Sequence, residues 1–270
     1  MNAFAQHFAF EFRTGLRNKD LLLLNYLFPL FFFVMMGVLM GSINPAFIQT
    51  MIPAMAIFAV LSGAILGLPN PLVEQREAGI FRSYKINGVP AVSILLIPAL
   101  TTGFHAIIAG AIMTVTAPFL FKAPPPVDYL SFVLIMVLTA FSCAGLGALI
   151  GVISSNARVT ILWSQLIFLP SMMLSGMMVP LSMLPAGLAR MAAVLPPTHG
   201  MQAMMGLAYQ QLTPWNPAWS VLVLAAGTIL SFVMAVYLFN WDSQNATRRR
   251  HPALALIALA PYVVSALLLG

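Results

Sequence analysis

Six or seven long apolar segments, separated by short polar gaps, constrain this chain of 270 residues more than any other feature. A water-soluble domain needs polar residues to cover its surface, but 61% of these residues are hydrophobic and only 7% are charged. A helix of about 20 apolar residues can cross the hydrocarbon core of a bilayer and satisfies its own backbone hydrogen bonds there. The sequence therefore predicts an all-α polytopic membrane protein.

Six segments have the length and composition of membrane-crossing helices. They are Leu21–Gly41, Ile48–Pro69, Ala91–Phe121, Leu130–Ile153, Val159–Val179 and Trp219–Trp241. The third is longer than one straight crossing needs, so we expect it to be tilted, kinked or extended beyond the bilayer. Residues 1–250 then form one transmembrane domain, and residues 251–270 form a separate C-terminal apolar segment.

The C-terminal segment, Ala253–Gly270, is apolar and has about 18 residues, which is the lower limit for a crossing helix. Pro261 interrupts it. It forms either a seventh span, which we favour, or an element that packs at the inner surface.

Almost all basic residues fall in alternate gaps between the predicted spans, and alternate gaps lie on the same side of the membrane. Ten of the 12 Lys and Arg residues lie on one side of the predicted bundle, and only Lys122 and Arg190 lie on the other. The ten are Arg13, Arg17, Lys19, Arg76, Arg82, Lys85, Arg158, Arg248, Arg249 and Arg250. The positive-inside rule predicts that this side, with the N-terminus, is cytoplasmic. Because these residues are spread over several loops, they indicate topology and not a nucleic-acid partner.

The first 20 residues are predicted to form an interfacial helix. Phe4, Phe8 and Phe12 recur at helical spacing among charged residues, which is typical of an amphipathic helix lying at the inner membrane surface. The alternative is a frayed start. The segment lacks the pattern of a cleavable signal peptide.

Several functions are excluded by what the sequence lacks. It has no G-x-x-x-x-G-K-[ST] motif to hold ATP phosphates, and its His and Cys residues are too sparse for a zinc site. We find no catalytic trio, so an enzyme is not expected. His105 is the only candidate for a proton relay inside a span, and it is more typical of a hydrogen-bonded interior histidine.

The most polar stretch of the chain lies between the second and third predicted spans, at residues 71–90. Glu74 and Glu77 precede Arg82 and Lys85, an order that suits the dipole of one short helix. We expect Ile80, Phe81 and Tyr84 to be exposed there as apolar and aromatic anchors within a polar rim. The residues thus indicate a docking surface, although a simple solvated loop remains an alternative.

Two regions resemble a known family. The first is EQREAG (residues 74–79), followed by Phe81-Arg82 and GVP (88–90); it resembles the E-x-x-x-x-G loop of type-2 ATP-binding-cassette (ABC) transporter permeases. The second is LSGMMVPLSMLP (174–185), followed by LPPTHGM (195–201), which is similar to the family's S-G-x-x-x-P-x-x-x-x-P segment after the fifth span. Pro196 stands where the family often has Asn, and an Arg farther on is absent.

The resemblance implies a transport subunit of an exporter in the cell (inner or plasma) membrane. A second permease chain, identical or paralogous, and a separate ABC ATPase subunit would be its partners. ATP and Mg would bind to the ATPase, and no cofactor to this chain. The resemblance places a coupling helix in the 71–90 loop, with Phe81 and its neighbours inserted into the ATPase. The coupling residues would be Glu74, Arg76, Glu77, Gly79, Phe81, Arg82 and Tyr84.

The segment after the fifth span is expected to form a re-entrant pair of half-helices or an interfacial helix at the outer surface, because it is too apolar for a free loop. Its motif residues are Ser175, Gly176, Pro180, Pro185, Pro196 and Pro197.

A cavity between spans one, two and five of two chains would take an amphiphilic or lipid-like substrate, such as a drug, an antibiotic or a lipid-linked molecule. Candidate lining residues are Phe32, Met35, Met172, Met173 and Met177, whose flexible apolar side chains suit an adaptable surface. Two other functions remain open: a membrane scaffold, and a channel or secondary transporter without an ATPase partner.

Overall fold

A computed structural model describes residues 3–241 and 251–269, and side chains from residue 8 onward. Within these ranges every regular element is helical. The elements are α1 Ala3–Arg17, α2 Lys19–Ile43, α3 Phe47–Glu77, α4 Ile80–Ile86, α5 Ala91–Phe121, α6 Tyr129–Ile153, α7 Ala157–Leu174, α8 Ala186–Ala192, α9 Pro196–Ala203, α10 Pro217–Leu238 and α11 Ala260–Leu268. Helices α2, α3, α5, α6, α7 and α10 are long and apolar enough to cross a membrane. This confirms the all-α membrane fold.

The second and fifth spans end at different residues from those that the sequence predicts. Helix α3 continues through Pro69 to Glu77. A π-helical turn of α3 ends at Gly67, and Pro69 stands in the first turn of the α-helical segment that follows, where the missing N–H of a proline is not needed for a hydrogen bond. Helix α7 ends at Leu174 instead of Val179, just before Gly176, whose φ is +90°. Helix α5 covers the predicted range, and its 31 residues correspond to about 46 Å, longer than a bilayer core.

Helix α3 is the centre of the bundle. Of its most apolar window, 94% is buried, and it contacts α2, α5, α6, α7 and α9. Glycines let α6 approach its backbone: a Cβ on Gly147 would collide with the carbonyl oxygen of Ala64, and one on Gly151 would lie 3.1 Å from the carbonyl oxygen of Pro69. Small residues bring helices together in this way where lipid removes the hydrophobic driving force.

Two π-helical turns face each other in the first two spans. They cover Leu23–Leu27 in α2 and Ser62–Gly67 in α3. A π-turn leaves backbone groups in need of other partners. Ser62 Oγ donates a hydrogen bond to the carbonyl oxygen of Leu24 (2.6 Å), so the two turns are joined.

Helix α1 packs on α5. The Phe12 ring stacks on the His105 ring with centroids 4.5 Å apart, and Tyr26 of α2 is hydrogen-bonded through its hydroxyl to His105 Nδ1 (2.7 Å). His105 is therefore a partnered interior residue, as the sequence indicated. The side chain of Phe4 and the run Arg248–Arg250 lie outside the described residues.

The C-terminal segment lies along α10. It consists of a 3₁₀ helix, Pro252–Leu259, followed by α11. Trp219 near the start of α10 donates a hydrogen bond from Nε1 to Ser265 Oγ (2.9 Å), whereas the ring of Tyr262 lies against Gly227 farther along α10. The two elements are therefore antiparallel.

Candidate functional site

The polar segment between α3 and α5 forms two helices and not one. Gly79 has a φ of +75°, the left-handed conformation that terminates helices, and it separates α3 from α4. Glu74 and Glu77 therefore lie in the last turn of α3, and Arg82 and Lys85 lie on α4. The prediction that the four residues complement the dipole of a single helix was wrong, because one glycine ends the first helix between them.

Arg76 does not face outward. Its side chain is 7% exposed, and its guanidinium donates hydrogen bonds to the carbonyl oxygens of Gly151 (3.3 Å), Val152 (2.9 Å) and Ser154 at the end of α6. The last carbonyls of a helix lack intrahelical partners and carry partial negative charge. Arg76 thus caps α6 from α3, in contrast to the prediction that it belongs to a coupling surface.

Phe81 is buried as well. It is 2% exposed and packs against Phe239, with ring centroids 5.4 Å apart, and against Tyr84, with centroids 6.5 Å apart. The prediction of an exposed Phe81 was wrong, because the apolar face of α4 turns inward onto the chain beyond α10. Tyr84 is half-buried, and this burial, followed by the nearby Glu11 carboxylate, raises the pKa of its hydroxyl.

A different set of residues is exposed in this segment. Ile80 is 39% exposed, as the sequence predicted, and Ile86, which the pattern did not single out, is 85% exposed. We call the exposed residues Glu74, Glu77, Ile80, Arg82 and Ile86 the loop patch. Arg82 and Ile86 are four residues apart and share one face of α4, opposite to the buried Phe81 side; this spacing was the available sequence signal.

The segment after α7 consists of short elements joined by prolines. Ser175 and the left-handed Gly176 follow α7; Pro180 and Pro185 precede a 3₁₀ turn and α8; Pro196 and Pro197 form the first turn of α9. All of α9 is buried, and Gly200 lies against Thr139 in the middle of α6. The segment thus returns into the bundle.

Polar contacts hold α9 in place. His199 is hydrogen-bonded through Nε2 to the carbonyl oxygen of Ala193 (2.9 Å) and through Nδ1 to Ser220 Oγ (3.2 Å). Trp215 Nε1 donates to the same hydroxyl (2.8 Å), and the Tyr262 ring lies 5.9 Å from the imidazole. A buried polar residue is tolerated when it is satisfied in this way.

The five candidate cavity residues differ in their exposure within the single chain, and their place in a cavity between two chains stays a prediction. Phe32 stacks on Phe58 with centroids 4.3 Å apart, Met35 and Met172 are half-buried, Met173 is 58% exposed, and Met177 is buried in the core. Phe32, Met35 and Met172 pack against the same core.

Two cavities of the single chain lie between α2, α3 and α7. One, of about 400 Å³, is apolar; the other, of about 190 Å³, is mostly apolar but is also lined by polar side chains such as Asn70 and Gln165, and both share Leu24 and Leu66. Within residues 3–241 and 251–269, no three His, Cys, Asp or Glu side chains form a group that could hold a metal ion.

Comparison with known proteins gave one match. A family model described as ABC-2 type transporter matches residues 3–209, which include α1 to α9 and both motif regions. No curated protein and no solved structure matches the chain at the threshold of significance.

Proposed function

Because the chain belongs to the ABC-2 type transporter family, we propose that it is the permease subunit of an exporter whose ATP hydrolysis takes place on a separate ABC ATPase chain. The substrate would be an amphiphilic or lipid-like molecule moved out of the cytoplasm. The observation that carries this proposal is the loop patch, which offers exposed isoleucines beside charged residues on a chain without a phosphate-binding motif.

The loop patch has the composition of a docking site. An exposed apolar side chain within a polar rim is what a protein interface needs, and Ile86 supplies it. Glu77 and Arg82 provide charges that would select a complementary partner. Phe81 and Arg76 contribute indirectly, because they fix α4 and the end of α3 to the rest of the bundle.

Sidedness follows from charge. The N-terminus and the loop patch would face the cytoplasm, and α8 and α9 would lie in the outer half of the membrane. Helices α2 and α7 expose most of their apolar windows, with only 28% and 22% buried. A second permease chain would cover part of these faces.

The C-terminal segment supports a seventh span. Eight 3₁₀ residues and nine α residues span about 30 Å, the thickness of a bilayer core. Its antiparallel position along α10 favours a crossing over the inner-surface alternative.

A pull-down on the full chain from native membranes in mild detergent, followed by an ATPase assay, tests the proposal. We expect a nucleotide-hydrolysing subunit to co-purify. Ile86→Ser should weaken its association by about 10- to 100-fold, since burial of an isoleucine contributes about 1.5–3 kcal/mol. Glu74→Ala combined with Glu77→Ala should abolish export while leaving membrane insertion intact.

Leu212→Ser is the matched control, because Leu212 is fully exposed in the loop between α9 and α10, at the opposite end of the bundle. It should leave ATPase association unchanged. A chain that purifies alone as a stable oligomer would refute the exporter and favour a scaffold or a channel. Equal loss of association in both variants would show that the loop patch is not the docking site.

A further inference from the structure

The C-terminal segment occupies a slot that the bundle is shaped to hold. We call Pro252–Leu268 the strap. Its Tyr262 is fully buried, and a Cβ on Gly227 of α10 would collide with the Tyr262 hydroxyl, so this glycine makes the room that the ring needs. Ala255 and Ala258 of the strap are buried as well, and small residues of this kind let membrane helices pack closely. The strap is therefore an integral part of the bundle.

Two side-chain hydrogen bonds hold the strap to its neighbours. The Tyr262 hydroxyl is hydrogen-bonded to Ser142 Oγ of α6, and Trp219 Nε1 of α10 donates to Ser265 Oγ (2.9 Å). Ser142, Tyr262 and Ser265 are each fully buried. A hydroxyl without a partner in apolar surroundings costs free energy, so each bond resists separation of the strap from the bundle. The strap, α6 and α10 thus behave as one body.

Helix α9 lies beside the strap on the surface of α6. Gly200 of α9 packs against Thr139 of α6. Ser142, the partner of Tyr262, is three residues farther along, which places it on the same face of α6. The strap contacts α6 and also α8, the element that precedes α9 in the chain. Helix α9 therefore cannot move along this face toward Ser142 without displacing Tyr262.

The same two neighbours meet on α10. Ser220 Oγ is hydrogen-bonded to His199 Nδ1 in the first turn of α9 (3.2 Å). Gly227, against which Tyr262 lies, is seven residues farther along the same face of α10. The Tyr262 and His199 rings are in contact, with centroids 5.9 Å apart. The strap thus borders α9 through ring packing, whereas hydrogen bonds tie it to α6 and α10.

We propose that the strap is a fixed stop for α9, and that Tyr262 is the positioning residue that keeps His199, and with it the start of α9, in place. In an exporter with α9 in its outer half, the strap keeps the outer end of the bundle closed; this consequence rests on the proposed function. The family match ends at residue 209, so the strap lies outside the part of the chain that defines the family.

The test is the rate at which N-ethylmaleimide modifies a cysteine in α9 of the full chain, reconstituted in lipid nanodiscs that leave both membrane faces accessible. Thr198→Cys places the reporter in the first turn of α9, at a fully buried position whose hydroxyl has no hydrogen-bond partner among the described residues. Thr114→Cys, at a buried position of α5, is the control reporter. The native chain, whose single Cys143 is buried, gives the background.

Removing the ring and filling its slot should have the same effect. Tyr262→Ala and Gly227→Ala should each raise the modification rate of the Thr198→Cys reporter by about tenfold or more, because α9 loses its stop. Gly227→Ala does so with the tyrosine still present, since the new Cβ displaces the ring. The rate at the Thr114→Cys reporter should stay within about twofold of its value in the otherwise native chain.

Milder variants test the hydrogen bond of the strap to α6. Tyr262→Phe keeps the ring and loses only the bond to Ser142, so the rate at Thr198→Cys should rise by about three- to tenfold. Ser142→Ala should have the same effect, and the double variant should not exceed either single one. Tyr129→Phe is the matched control, because Tyr129 is an exposed tyrosine at the start of α6, and it should change neither reporter.

A rate at Thr198→Cys that stays within about twofold of native in the Tyr262 and Gly227 variants would overturn the proposal. Equal acceleration of both reporters would overturn it as well, since the strap would then stabilise the whole bundle without positioning α9. If Tyr262→Ala does not fold, Tyr262→Phe and Ser142→Ala decide. The assay needs neither ATPase nor substrate, so its failure leaves the proposed exporter standing, and the absence of an ATPase partner leaves the labelling result intact.

Discussion

The substitution Arg76→Ala should destabilise the bundle and not merely its docking surface. The guanidinium donates three hydrogen bonds to carbonyls at the end of α6 and is almost fully buried. Hydrogen bonds to a charged group contribute about 1.5–3 kcal/mol each. Gly151, Val152 and Ser154 are buried, so the freed carbonyls lose their partner, but three bonds to one guanidinium are not additive and we expect a net loss of about 3 kcal/mol.

For a chain of this size, about 3 kcal/mol lowers the Tm by roughly 6–12 °C. Thermal unfolding in detergent, followed by size-exclusion chromatography of the surviving fraction, measures the shift. Arg76→Lys keeps the positive charge, but its single ammonium replaces the forked guanidinium that binds several carbonyls. The Tm of this variant should therefore fall between those of Arg76→Ala and the native chain.

Lys85→Ala is the matched control, because Lys85 is exposed on the neighbouring helix; its Tm should change by about 1 °C or less. If Arg76→Ala melts within about 1 °C of the native chain and loses only ATPase association, Arg76 acts at the docking surface and the capping argument is refuted.

Two further predictions concern packing and pH. Gly147→Ala should prevent folding, as the yield of monodisperse protein will show, because its Cβ would collide with the backbone of α3; Gly103→Ala, whose Cβ would meet nothing nearer than 3.8 Å, should fold normally. Asp128 caps α6, and hydrogen bonds from the Ser131 hydroxyl and backbone hold the pKa of its carboxyl below the usual range. Its stabilising contribution should therefore be complete at neutral pH and decline as the pH falls through that lowered pKa. The Tm difference between the native chain and Asp128→Ala should shrink accordingly, and a difference independent of pH would contradict this assignment.

Hydropathy predicted the spans well because the bilayer imposes a length and a composition on each of them. Ala91–Phe121 was placed to the residue, and the family assignment from the two motif regions is confirmed by the family match over residues 3–209. The end of the second span was missed by eight residues, since hydropathy falls at Asn70 whereas the helix continues until Gly79 can terminate it.

Burial inside the loop segment was harder to predict. The pattern Phe81-x-x-Tyr84 shows that two aromatic residues share a face, but only the position of Phe239 decides that this face is covered. Likewise, Arg76 is one of three basic residues in the segment, and nothing local distinguishes it. Its partners are carbonyls some 75 residues later in the chain, at the end of α6.

Helix α6 connects the two motif regions physically. At one end its terminal carbonyls bind Arg76, next to the loop patch; in its middle Thr139 packs on Gly200 of α9. Gly147 lies between these contacts and brings α6 against the backbone of α3. An α-helix so closely packed is stiff along its axis, because its hydrogen bonds and its neighbours both resist compression. If an ATPase displaces the loop patch, α6 is therefore the element through which we expect α9 to move, and α3 must move with it.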